Sequence, residues 1–214
     1  PDWTTPERVE YTNLLFGLIA EIVPEGVDGS VSTVPVSYKE FIKDERQITE
    51  ARKNIWKTVE HISKVSRRTG KQLHLGLEPE PLCYLETSEE MVRLMESLRA
   101  DRPGDLRLDE FVGINYDCCH LAVEYESAAE AIGRLKQHKI KFSKIHISNA
   151  LKVTPTPDAR QALHAFADDI YFHQTIARAK DGRITRHRDL DDALATHNKL
   201  PPAKSDEWRI HFHI

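Results

Sequence analysis

Phe111-Val112-Gly113-Ile114-Asn115-Tyr116-Asp117-Cys118-Cys119-His120 is the stretch on which the reading of this chain turns. Gly113, Asn115 and Asp117 are small or polar, whereas Val112, Ile114 and Tyr116 are bulky. Successive side chains of a strand point to opposite faces, so one face here packs under helices and the other is polar inside the fold. Buried polar groups are costly unless they are paired or ligate something. The strand stops at a carboxylate and offers an imidazole three residues later, which makes its polar face a functional lead.

The same division recurs in three other segments. In Leu73 to Pro79, His74, Gly76 and Glu78 oppose Leu73, Leu75 and Leu77; in Ser143 to Asn149, Lys144, His146 and Ser148 oppose Ser143, Ile145 and Ile147. In Trp208 to Ile214, Arg209, His211 and His213 oppose Ile210, Phe212 and Ile214. Parallel strands covered on both faces normally read as continuous apolar runs, and these four do not. Strands alternating with helical sequence predict a parallel α/β core with right-handed crossovers. Ionisable residues near strand C-termini match the face on which barrel sites are built. The expected fold is therefore a parallel (β/α) TIM-type barrel forming a single domain over 1–214, with a β-hairpin insertion near 170–188. An open doubly wound sheet is the alternative, although no G-x-G-x-x-G or Walker loop is present. Five candidate core strands are too few for eight units. With the start at Pro1 and the stop inside the last strand, the chain reads as an incomplete barrel, trimmed at both ends.

The connecting segments carry their own signals. Thr5-Pro6-Glu7 opens a helix with a threonine cap and a proline at its first position; its apolar positions are Val9, Leu14, Leu15, Leu18, Ile19 and Ile22. Gly29 to Pro35 reads as a short strand. Ile48 to Thr69 has Ile55, Val59, Ile62 and Val65 at helical spacing and ends at Gly70. Thr87 with Glu90 is a capping-box pair, beginning a helix to about Leu98, and Asp101 to Asp109 reads as a polar loop. A helix is expected from Ser127 to Lys139, another from Asp158, and a third near Leu190 to Thr196. Ile170 to Arg178 and Arg183 to Arg188 flank Lys180-Asp181-Gly182, a hairpin signal.

Composition narrows the function. Charged residues make up 30% and hydrophobic ones 40%, with a mean hydropathy of −0.51, so a water-exposed globular protein is expected. No apolar run reaches the roughly 18 residues of a membrane span; Leu14 to Val23 is interrupted by Gly17 and Glu21. A net charge of −4 gives no general pull toward nucleic acid or anionic lipid. Cys83, Cys118 and Cys119 do not make a disulfide framework, and no signal peptide is visible. A reducing, cytoplasmic location is the expectation.

Glu78, Asp117 and His146 fall at or near the ends of successive core strands. A barrel would bring them to one rim, where two carboxylates and an imidazole suit a divalent ion such as Mn, Zn, Co or Mg. Taken singly, each reads more readily as a hydrogen-bonded structural group; in register they read as a site. His120 is a substrate contact, an additional metal ligand or a helix-start histidine. His211 and His213 form a ligand pair, a pair supporting ligands, or part of the interior. Lys144 faces the same way as His146, to bind an anionic substrate group or to pair with an internal carboxylate. Glu80 belongs to the loop or supports a ligand. His173 is a weak candidate, and Arg183, Arg186, His187 and Arg188 read as a solvated basic strand. Cys118 and Cys119 read as small packed residues, and His61, His138, His164 and His197 as surface or helix histidines.

Leu77-Glu78-Pro79-Glu80-Pro81, Tyr116-Asp117-Cys118-Cys119-His120, Lys144-Ile145-His146 and His211-Phe212-His213 together resemble the xylose-isomerase-like barrel superfamily, which includes sugar epimerases and endonuclease IV. Within it the chain is most similar to the EboE-like metabolite traffic proteins, through Leu-Glu-Pro-Glu-Pro, His-Phe-His-Ile and the Tyr-Phe-His-Gln at Tyr171. The resemblance runs from about Gly29 onward. It implies that Glu78, Asp117 and His146 bind a divalent metal and that His120 holds substrate or a further metal. It also implies Glu78 as one of two acid–base glutamates; the superfamily's later glutamate ligand has no counterpart in this sequence.

The expected function is a metal-dependent isomerase or epimerase acting on, or binding, a sugar-like small metabolite. Glu78 and His120 would be its catalytic groups, and His120, Lys144, His211 and His213 would contact substrate. One alternative is an endonuclease-IV-like phosphodiesterase, against which the negative charge and missing ligands argue. The other is a non-catalytic metabolite-binding protein. Nucleic acid is not an expected partner, and oligomeric state is not legible.

Overall fold

A computed structural model describes residues 1–167, 171–197 and 207–212. Four strands, β1 (Gly29–Thr33), β2 (Leu73–Leu77), β3 (Val112–Asp117) and β4 (Lys141–His146), form one parallel sheet in that order. Their bulky faces meet α1 (Pro6–Ile22), α2 (Glu45–Thr69), α3 (Ser88–Asp101) and α6 (Ala128–Gln137) around a core that includes Phe16, Trp56, Leu75, Met95, Ile114 and Leu135. The described strands make a parallel α/β layer and do not close a barrel.

Local chemistry explains the helix limits. Asp44 accepts hydrogen bonds from the backbone of Arg46 and Gln47, and the Gln47 side chain reaches back to complete a capping box, so α2 starts earlier than its apolar pattern suggested. It ends at Gly70, whose φ of 70° suits a residue without Cβ. Thr87 and Glu90 form the second capping box, as expected. A short helix, α4 (Arg107–Phe111), occupies part of the expected polar loop, because Leu108 and Phe111 are buried. The apolar stripe of α1 is only partly used. Val9, Thr12, Phe16 and Ala20 are buried, while Leu14, Leu18 and Ile22 are exposed.

The polar faces of the strands are concave and crowded. A Cβ on Gly113 would lie 2.3 Å from the Lys141 carbonyl oxygen, and one on Gly76 would lie 3.1 Å from Ser143 Cβ. These glycines let the strands curl until Lys144 Nζ reaches Ser32 Oγ, 2.6 Å away, across the trough. The β3–β4 register shifts after Ile114, leaving Ser143 as the extra residue of a bulge. Strict alternation had put Ser143 on the outer face. Its hydroxyl instead lies inside, 3.0 Å from His74 Nδ1 and 3.2 Å from the Leu75 carbonyl. Ile145 and Ile147 were expected beneath helices, yet both are exposed.

The largest correction concerns the last strand. β8 (Glu207–Ile210) is not a fifth parallel strand. It pairs antiparallel with β5 (Leu151–Val153) and β6 (Thr175–Arg178), and β7 (Ile184–His187) completes a second sheet in the order β5-β8-β6-β7. A period of two reports a strand but not its partner's direction. Here Trp208 and Ile210 are buried with Leu163, Leu190 and Leu194, from α7 (Pro157–Leu163) and α8 (Leu190–His197). The expected hairpin exists as β6–β7, turning through Gly182 at φ 85°.

This second sheet sits against α5 (Cys118–Val123), which follows β3 directly. Cys119 and Val123 pack on Ile176. The Tyr125 hydroxyl lies 3.1 Å from the Ile176 carbonyl and 2.6 Å from that of Glu207, and its ring is stacked by Arg178 and Arg209. No described helix is long and apolar enough to cross a membrane.

Candidate metal centre

Three neighbouring strands each deliver one ligand-bearing side chain at the same end of the trough. Glu78 follows β2, its N–H still donating to the Thr33 carbonyl of β1 at 3.1 Å. Asp117 closes β3 and His146 closes β4, paired in register. His146 Nδ1 lies 3.1 Å from Glu78 Oε1 and 3.1 Å from Asp117 Oδ2, and one ligand atom from each of the three falls within 4.8 Å of the others. Asp117 is fully buried, Glu78 is partly buried, and His146 is over one-third exposed.

Asp117 is held by its other oxygen. Oδ1 accepts from the Cys119 N–H at 2.8 Å, the His120 N–H at 3.1 Å and Ser148 Oγ at 2.8 Å, so it also caps α5. One imidazole nitrogen carries at most one proton and cannot satisfy two carboxylates equally. A cation between the three can. Protein ligands sit roughly 2.0–2.2 Å from a zinc-sized ion, so neighbouring ligands of a tetrahedral set are roughly 3.4 Å apart. The His146-to-carboxylate distances are of that size, and the donor set of one nitrogen and two oxygens fits such an ion.

His120, on the first turn of α5, lies beside this trio. Its Nδ1 is 3.0 Å from the Pro79 carbonyl, which can only accept, and 4.0 Å from Glu78 Oε1. Its ring meets His211 edge-on at 4.7 Å. His211 follows β8; its Nδ1 lies 2.6 Å from Gln174 Oε1, and Gln174 Nε2 donates to Glu80 Oε1 at 3.2 Å. Glu80 thus reaches His211 through Gln174. Lys144 faces inward but is engaged by Ser32. His213 lies outside the described residues. His173 is buried against Phe212, ring centroids 4.4 Å apart.

Two site residues escaped the sequence reading. Asn115 was visible as a polar inner residue without a role; its Nδ2 lies 3.1 Å from Ser32 Oγ and 3.5 Å from His146 Nδ1. Gln174 joins Glu80 across 94 positions, which no local spacing announces. Arg186, read as part of a solvated strand, is exposed as expected but also reaches two buried carboxylates: it pairs with Glu124 at 2.6 Å and Glu86 at 3.3 Å. Burial foremost, then Glu86, pushes the Glu124 carboxyl up to about 7. Beside His211 opens a cavity of about 500 Å³, lined by Glu80, Tyr171, Phe172, His173, Gln174 and Phe212.

No family model matches the chain, and no curated protein matches it. Among solved structures it is similar to the crystal structure of the IolI protein with a zinc atom bound, at 18% identity and a TM-score of 0.43, over 90% of this chain and 56% of that one. The chain therefore spans a little over half of that protein's length.

Proposed function

We propose that Glu78, Asp117 and His146 hold one divalent ion and that the protein is a metal-dependent isomerase or epimerase of a sugar-like hydroxy-carbonyl metabolite. The observation that carries this reading is the single nitrogen of His146 set 3.1 Å from each of two carboxylates. When bound, such an ion polarises a carbonyl–hydroxyl pair and so acidifies the adjacent C–H. The chain's own groups then position substrate and move the proton. With Nδ1 donating to the Pro79 carbonyl, a neutral His120 has Nε2 as its basic nitrogen, suited to taking a proton. Glu80, Gln174 and His211 fix the neighbouring ring by hydrogen bonds and edge contact. Glu78 serves the ion and lies within 4.0 Å of His120. The free thiols of Cys83, Cys118 and Cys119 support a reducing compartment.

Elemental analysis of the purified protein, followed by titration with Mn²⁺, Zn²⁺, Co²⁺ and Mg²⁺, tests the metal. One equivalent is expected, and His146→Ala should abolish it. Failure of every ion to bind sinks the proposal. Two or three ions per chain would favour phosphodiester chemistry. Solvent deuterium appearing in a ketose or hydroxy-aldehyde separates catalysis from simple binding.

A further inference from the structure

A second cavity, about 620 Å³, adjoins the one beside His211 and shares Glu80, Phe172 and Gln174 with it. The two form a cleft between the loops after β1 and β2 and the second sheet. One wall of the outer lobe carries Val34, Tyr38 and Phe41, and the other carries Phe172 with the Arg188 guanidinium 4.9 Å over its ring. Tyr38 and Phe41 form a tilted pair 5.4 Å apart. Val34, Phe41 and Phe172 are all left exposed here, and Tyr171 is exposed at the inner lobe. Apolar side chains gathered in water at one mouth mark a binding surface. A free sugar gripped at the metal centre would not use them.

We propose that this outer lobe takes a flat apolar group, an aryl ring, carried by a substrate whose hydroxylated end lies at His120 and His211. The substrate class is then an aryl-substituted polyol rather than a free sugar. This rests on the metal-centre reading above. Facing aromatic walls favour stacked and edge-on ring contacts. The Arg188 guanidinium over Phe172 also lines the lobe and offers a cationic face to an aryl ring. Cavities of roughly 300–1,000 Å³ hold drug-sized ligands, and each lobe is in that range. Asp2, Glu40 and Glu80 at the lobe disfavour an anionic substituent. The Tyr38 hydroxyl is pushed up by burial, then by Glu40, with Arg188 opposing, so the two walls are within electrostatic reach across one gap.

Saturation-transfer NMR with phenol and with phenyl β-glucoside, on Mn²⁺- or Mg²⁺-loaded and EDTA-treated protein, tests the assignment. Phenyl protons should saturate in both probes with or without metal. In phenyl β-glucoside, Mn²⁺ should broaden glucosyl protons more than phenyl protons. Phe41→Ala and Phe172→Ala remove exposed rings, leave the core untouched, and should each weaken phenol binding about threefold to tenfold, the size of one lost aromatic pair. No phenyl saturation at millimolar probe, or unchanged phenol affinity in the double variant, overturns the lobe. Phenol binding without any metal binding would sink the metal centre alone.

Discussion

Asp117 divides its two oxygens between tasks, Oδ1 capping α5 and Oδ2 facing His146. The two tasks can be separated. Asn caps a helix about as well as Asp, so Asp117→Asn should keep the fold while lowering metal affinity at least a hundredfold by calorimetry. Asp117→Ala should lose the ion and also about 1 kcal/mol or more of stability. Glycines give a second contrast. Gly113→Ala drives a methyl into the Lys141 carbonyl, whereas Gly17 in α1 has nothing within 4 Å of an added Cβ. Urea titration should show the first destabilised by about 1–3 kcal/mol or more and the second stabilised by about 0.5–1 kcal/mol. At this scale the sequence was most legible where contacts are local. Asp117 and His120 stand three apart and stay together, while Gln174 and Glu80 meet across 94 positions and carry no mark of it.

Elements were legible by period and less so by partner. Alternation identified the inner faces of β2 and β3, and the capping residues identified α3. It missed the bulge at Ser143, because one inserted residue breaks the count without changing composition. It also gave β8 the wrong sheet, since Trp208 and Ile210 would be apolar against either. The hairpin's tether to the parallel layer is testable through pH. Glu124 is buried, one of its oxygens makes no hydrogen bond among the described residues, and its carboxyl rises to about 7 from 4.5. An acid raised on folding holds its proton longer in the folded chain. Its destabilising contribution is therefore full above about pH 7 and fades as pH falls toward 4.5, with an upper size of about 3 kcal/mol. Relative to Glu124→Gln, the parent chain should lose about 1–3 kcal/mol between pH 5 and pH 8, read from urea midpoints. A constant difference across that range would refute the assignment.

At the scale of the whole molecule, the described residues form two sheets with separate cores, joined at α5, Tyr125 and the His120–His211 contact. Metal at a hundredfold over its Kd should stabilise the folded chain by about 2.7 kcal/mol, seen as a raised Tm that EDTA reverses. Tyr125→Phe removes the hydroxyl near the Ile176 and Glu207 carbonyls and should cost about 1–3 kcal/mol. Hydrogen exchange should then quicken in β6 and β8, with β2 and β3 unchanged and metal affinity within about twofold. The small and polar inner face of the parallel layer was readable in advance, through Gly76, Gly113 and the polar residues that alternate with them. The meeting of the sheets was not, because it depends on contacts between residues some 90 positions apart. The three proposed metal ligands all stand on the parallel layer, and Tyr171, Phe172 and Phe212, the aromatic wall next to it, come with the second sheet. Val34, Tyr38 and Phe41 stand on the first scaffold and Phe172 on the second, so a preference exercised at that lobe would last only while the two scaffolds stay docked.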